Sequence, residues 1–332
     1  MKKLDDNLKS AGIFLGVTFG AGWLILLIAF IMGFRDAYAS YSGVLSIMMI
    51  APLGGNLAAR VLTGEGFERM RIKPNFRHNI IKYICSYFFP IIFIAGGMMI
   101  FYMLNNSALD SAATIYSEAW AEAYDMDINQ GYGTFLTSTI IFPALVAPLS
   151  YILFAFMSEL GWRGYLLQKL TNKFGMIRAA LFTGVCQWVW FLPLVIMGFS
   201  YGRLYTSYPF GGIGLSLLFF VGLSFVESYF TYRIGSVIPA ALFFSAVYSL
   251  KDIGLYFLTE EYTRDITAKG AHTTELMLLG PSATGLFGMA VILLAGLLYL
   301  FRFRRMEWDE YDEKVSNVRG ERKRKSKEAD EF

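Results

Sequence analysis

Hydrophobic positions along this chain do not alternate or form helical stripes; they come in long unbroken runs. Eight runs, at about 11–34, 38–59, 80–104, 135–157, 179–198, 211–231, 235–257 and 281–301, reach the length a helix needs to cross a hydrocarbon core, about 20 residues. The second carries Pro52, Gly54, Gly55 and Asn56, which membrane helices tolerate better than soluble ones. The first is too long for a signal-peptide core and no small-residue cleavage site follows it, so it reads as a span. The pattern predicts an all-α, polytopic membrane protein with about eight transmembrane helices.

The residues between the runs set an orientation. Lys and Arg collect on the cytoplasmic side of membrane proteins. Here they fall at Lys2, Lys3 and Lys9, at Arg60, Arg69, Arg71, Lys73 and Arg77, at Arg163, Lys169, Lys173 and Arg178, and in the tail at Arg302, Arg304, Arg305 and 322–325. With eight alternating helices these all lie on one side, and both termini are expected in the cytoplasm of a cell-membrane protein. The segment 105–134 has no Lys or Arg but holds Asp110, Glu118, Glu122, Asp125 and Asp127. It is expected outside, with a short amphipathic helix near 108–124. The tail 306–332 mixes acid and base with almost no apolar residues and is expected to be disordered. Its basic run reads as a positive-inside signal or as a contact for anionic headgroups of the lipid bilayer.

Composition agrees. Of 332 residues, 55% are hydrophobic and 17% charged, less charge than a soluble domain carries. A net charge of +3 with no RNP, zinc-finger or helix-turn-helix pattern excludes nucleic acid as the expected partner. The two cysteines, Cys85 and Cys186, sit inside apolar runs, which argues against a disulfide framework or a cysteine zinc site.

Ionisable residues at membrane depth cost several kcal/mol unless paired. Glu159 and Arg163 are four apart, which puts them on one helix face with the acid leading, the better order. They read equally as a buried pair pinning a helix end or as an interfacial pair facing headgroups. Glu227 stands late in the sixth run. Interfacial pairing is its favoured reading, ahead of a place in an intramembrane polar site. Lys251 and Asp252 are expected at the interface.

The string Ser158-Glu159-Leu160-Gly161-Trp162-Arg163-Gly164-Tyr165-Leu166 resembles the first motif of the CPBP intramembrane metalloproteases, the CAAX-protease and bacteriocin-processing (Abi, lysostaphin-resistance-protein-A-like) superfamily. Its usual form is Glu-Glu-x-x-x-Arg, and Glu159 to Tyr165 match it. Gln187-Trp188-Val189-Trp190-Phe191-Leu192-Pro193-Leu194 resembles the second motif, usually ending Trp-His-Leu-Pro. The run 235–244 resembles the approach to the third, Gly-Ser-x-x-Pro-Ala-x-Leu-x-His-x-x-x-Asn. The resemblance covers 135–257 and implies a CPBP-type four-helix core there. It divides the chain into N-terminal helices with the outer acidic segment (1–134), the core (135–257), an outer loop and last helix (258–305), and the charged tail (306–332).

The family's zinc-type site is implied to use the first Glu of motif one, the His of motif two and the His and Asn of motif three. This sequence has Ser158, Phe191, Phe244 and Tyr248 there; one residue out of register, the last two become Ser245 and Ser249. Phenyl groups hold no metal, and hydrolysis also needs a carboxylate to take a proton from water. The only histidines, His78 and His272, fall on opposite sides of the expected topology. Ser158 as a nucleophile would need a base, and its motif has no His or Lys. Glu159, Trp162, Arg163 and Gly164 then read as retained structure, the glycines 161 and 164 as points of close helix packing.

Three functions follow as expectations. The first is a catalytically inactive pseudoprotease without cofactor, acting as scaffold, chaperone or regulator of a membrane or cell-envelope protein. The second is an active metalloprotease with Glu159 as catalytic carboxylate and zinc as cofactor. The third is a transporter, which Glu227 alone supports.

Overall fold

A computed structural model of the chain describes residues 2–34, 38–67, 70–203, 205–262 and 278–305. The tail 306–332 and His272 lie outside the described residues. The described chain is helical throughout and forms no named strand; an isolated bridge joins Leu109 to Leu258. Among the described residues, seven stretches are long and apolar enough to span a membrane: Asp6–Ile31, Gly43–Thr63, Ile80–Leu104, Ile128–Ser150, Met176–Ile196, Phe210–Ile234 and Ile238–Phe257. The chain is therefore a polytopic all-α membrane protein, as its hydropathy predicts.

The helices are α1 (Lys2–Ile31), α2 (Tyr38–Met48), α3 (Ala51–Thr63), α4 (Ile80–Leu104), α5 (Thr114–Tyr124), α6 (Ile128–Phe135), α7 (Phe142–Ser150), α8 (Ile152–Gly161), α9 (Leu167–Phe174), α10 (Met176–Ile196), α11 (Phe210–Ile234) and α12 (Ile238–Leu250). Three predicted runs are broken, each for a local reason. The second run divides between α2 and α3, because Pro52 suits a first helical turn and not a helix interior. The fourth is displaced: its spanning stretch ends at Ser150, Tyr151 interrupts the helix, and α8 starts a new segment that carries the first motif. The eighth is helical only over 290–305; residues 281–289 form turns. Those turns press against α4 at glycines, where a Cβ on Gly97 would lie 1.9 Å from the Gly288 carbonyl oxygen. The acidic segment 105–134 does form a short helix, α5, followed by α6, which Asp127 caps by accepting from the Asn129 and Gln130 amides.

The core lies where α10 packs on α11 and where α12 meets α4, α7 and α8. Large lipid-type residues remain outside, such as Ile81, Met103 and Leu298, as expected when the solvent is hydrocarbon.

Candidate functional site

The first motif sits on a helix with an enlarged turn. α8 ends at Gly161, Trp162–Leu166 is wound as a π-helix, and α9 continues. Such turns are rare and recur at functional sites. Gly161 lets α8 approach α3, since a Cβ there would fall 2.4 Å from that of Pro52. Asn56 on α3 completes the contact by donating to the Leu160 carbonyl at 2.7 Å. The expected close packing at Gly161 is thus observed, and its partner is Pro52.

Glu159 and Arg163 are buried, not interfacial. Arg163 Nη1 donates to Glu159 Oε1 at 2.9 Å and to Gln187 Oε1 of α10 at 2.7 Å. Its Nη2 pairs with Glu227 Oε2 on α11. All four side chains have no exposed surface. This corrects the interfacial reading of Glu227: the residue turns inward because α10 and α11 bring Gln187 and Glu227 to one guanidinium. A buried charge is tolerated only when paired and hydrogen-bonded. The cluster joins the motif segment to α10 and α11. Lys251 is also buried, at 6% exposure, and pairs with Asp252, which accepts from Ser282; the turn region after Pro281 covers both.

Three of the four positions at which the resemblance implies ligands come together elsewhere. Phe191 of α10 and Phe244 and Tyr248 of α12 line one cavity of about 40 Å³ with Phe219 and Phe220 of α11. The Phe191 and Phe220 rings are 4.5 Å apart, and Phe244 and Tyr248 lie parallel at 6.5 Å. The serines of the other register are engaged in hydrogen bonds. Ser245 accepts from the Tyr151 amide at 3.0 Å and donates to the Ala147 carbonyl at 3.1 Å, and Ser249 also donates to Ala147. Those serines patch the break between α7 and α8; Phe244 and Tyr248 are the residues that face Phe191 across the cavity. Ser158 is buried, and its hydroxyl has no partner, but it does not line the cavity.

These residues do not fit zinc. The cavity wall carries aromatic rings, hydroxyls and Lys251, whose ammonium pairs with Asp252, and no imidazole, thiolate or carboxylate, and among the described residues no three His, Cys, Asp or Glu side chains gather. His78 is exposed in the loop before α4. Glu159 and Glu227 are held by Arg163, and neither lines the cavity.

Sequence reasoning passed over several contributors. Gln187 and Thr183 are polar residues four apart in an apolar run, which marks one buried face of α10. Glu65 pairs with Lys169 at 2.6 Å and accepts from Ser10 at 2.7 Å, tying α1 and the end of α3 to α9. Only the tertiary structure shows that pair, because its members are remote in sequence.

No protein-family model matches the chain. It is 26% identical over 183 residues to CAAX prenyl protease 2 of Methanococcus maripaludis, a match covering 53% of this chain and 61% of that protein. The chain thus spans about three fifths of the length of the curated relative it matches. With its spanning helices, this makes it a multi-pass membrane protein similar to, and distantly related to, a CAAX prenyl protease.

Proposed function

We propose that the chain is a CPBP-like membrane protein without catalytic activity, which acts by binding as a scaffold, chaperone or regulator of a membrane or cell-envelope protein. One observation carries the reading: Phe191, Phe244 and Tyr248, at the positions where the resemblance implies ligands, face one another across an apolar cavity. Metal-assisted hydrolysis needs a bound ion, a base and room for water, and this small, mostly apolar cavity has no imidazole or carboxylate in its lining. The rest of the motif serves packing, since Glu159 and Arg163 are spent on a buried cluster and Gly161 on a helix contact. The type of partner follows from the resemblance alone.

Affinity capture of the full chain from detergent-solubilised membranes, read by mass spectrometry, tests the reading. Stoichiometric recovery of one membrane or envelope protein is expected, together with no stoichiometric zinc by elemental analysis. About one tightly held metal per chain, with Glu159→Ala abolishing function at normal protein level, would return the chain to the active proteases.

A further inference from the structure

The loop between α3 and α4 is folded onto the end of α11. Arg71 Nη1 donates to the Thr231 carbonyl at 3.2 Å, and Asn75 Nδ2 donates to that of Ile234 at 3.0 Å. The Val237 amide donates to the Arg71 carbonyl at 3.1 Å, and the Tyr83 hydroxyl donates to that of Pro74. Three non-glycine residues, Arg71, Asn75 and His78, hold φ values of 55°, 52° and 66°. Left-handed backbone at such residues costs free energy and persists only where surrounding contacts enforce it, often around ligands. The stretch 70–79 is therefore a built structure.

It encloses a groove of about 520 Å³, lined by Met70, Arg71, Lys73, Asn75, Gln168 and Gly235 among others. The groove shares no residue with the Phe191 cavity. Its position is fixed by the chain: α3 ends at Thr63, α4 begins at Ile80 and α11 ends at Ile234. Ends of spanning helices lie at headgroup depth. Phe67, Ile72 and Phe76 expose about half their surface here, as suits side chains entering the acyl boundary. From 65 to 82 the sequence has Arg69, Arg71, Lys73, Arg77 and Lys82 against two acids, Glu65 and Glu68, and Arg69 and Glu68 lie outside the described residues. Lys73 has no hydrogen bond or ion pair among the described residues, and the nearby carboxylate of Glu65 is taken by Lys169 and Ser10.

We propose that this groove binds the phosphate of an anionic phospholipid, with Lys73 as its cationic contact and the exposed Phe67 and Ile72 against the acyl chains. The exposed Lys73 has no acidic partner among the described residues and so lacks a counter-charge there, and the apolar flank favours a lipid over a soluble anion. Each such cation contributes about fivefold in binding to an anionic surface.

The full chain is reconstituted in phosphatidylcholine vesicles with or without phosphatidylglycerol, and the lipid retained after extraction is counted by native mass spectrometry. Selective retention of phosphatidylglycerol is expected. Lys73→Gln lowers it about fivefold, Lys73→Arg restores it, and Lys173→Gln, on α9 away from the groove, leaves it unchanged. The variant at 73 is exposed, so its melting temperature stays that of the parent and loss of folding does not confound the count. Equal retention of both lipids, or undiminished retention by Lys73→Gln, overturns the proposal. Displacement of the lipid by millimolar inorganic phosphate also overturns it, because the groove is then a site for soluble anions.

Discussion

Arg163 and Glu227 come from different helices and form an ion pair with no exposed surface on either side chain. Glu159 and Gln187 share the same guanidinium. Removing one member strands the others, so Arg163→Ala is expected to cost about 3–5 kcal/mol. The triple change Glu159→Gln, Arg163→Gln and Glu227→Gln should be milder than Arg163→Ala, because it leaves no buried charge without its partner. Thermal unfolding in detergent measures both, and a harmless Arg163→Ala would refute the packing role.

Gly161 lies against Pro52 with no room for a methyl group. Gly161→Ala must push α8 from α3 and stretch the bond from Asn56 to the Leu160 carbonyl. A loss of about 1–3 kcal/mol is expected, the usual cost of overpacking. Gly214, where a Cβ meets open space, is the control: Gly214→Ala should leave the melting temperature within error or raise it.

Ser158→Glu restores one acidic group and no imidazole. A catalytic zinc site needs about three protein ligands, so this variant should gain neither stoichiometric zinc nor peptidase activity, and chelators should not shift its melting temperature. Zinc retained by Ser158→Glu alone would show that other side chains complete a site.

Glu65 links pH to stability. Burial pushes its carboxyl up, but the hydrogen bonds from Lys169 and Ser10 and the Lys169 charge outweigh this and hold it below the usual carboxylate value. A depressed folded value means the contribution is present in full above the unfolded value, near pH 4, and is lost as pH falls through the folded one. Glu65→Gln should flatten the acid limb of the melting curve below about pH 4.5 and leave its shape above pH 6 unchanged. An identical acid limb in parent and variant would remove Glu65 from the account.

Topology is testable apart from any function. Reporter fusions at 68, 120, 172, 268 and 325 are expected to read in, out, in, out, in, from the distribution of Lys and Arg. A cytoplasmic signal at 120, within the acidic segment, would invert the orientation.

The sequence by itself determined that the chain is a helical membrane protein, because apolar runs of that length have one economical structure in lipid. It also carried the resemblance to the CPBP motifs, and the absence of histidine from 158–257 can be read without coordinates. It could not place breaks such as Tyr151 or the turns at 281–289. Apolar runs look alike whether straight or interrupted, and the interruption is stabilised by remote groups such as Ser245. Nor could it choose between burial and exposure for Glu159, Arg163 and Glu227. Spacing of four residues fixes which face two side chains share, while burial depends on the helices that cover that face. Packing α10 and α11 onto the motif segment decided that, and it also decided that Phe244 and Tyr248, not Ser245 and Ser249, face Phe191.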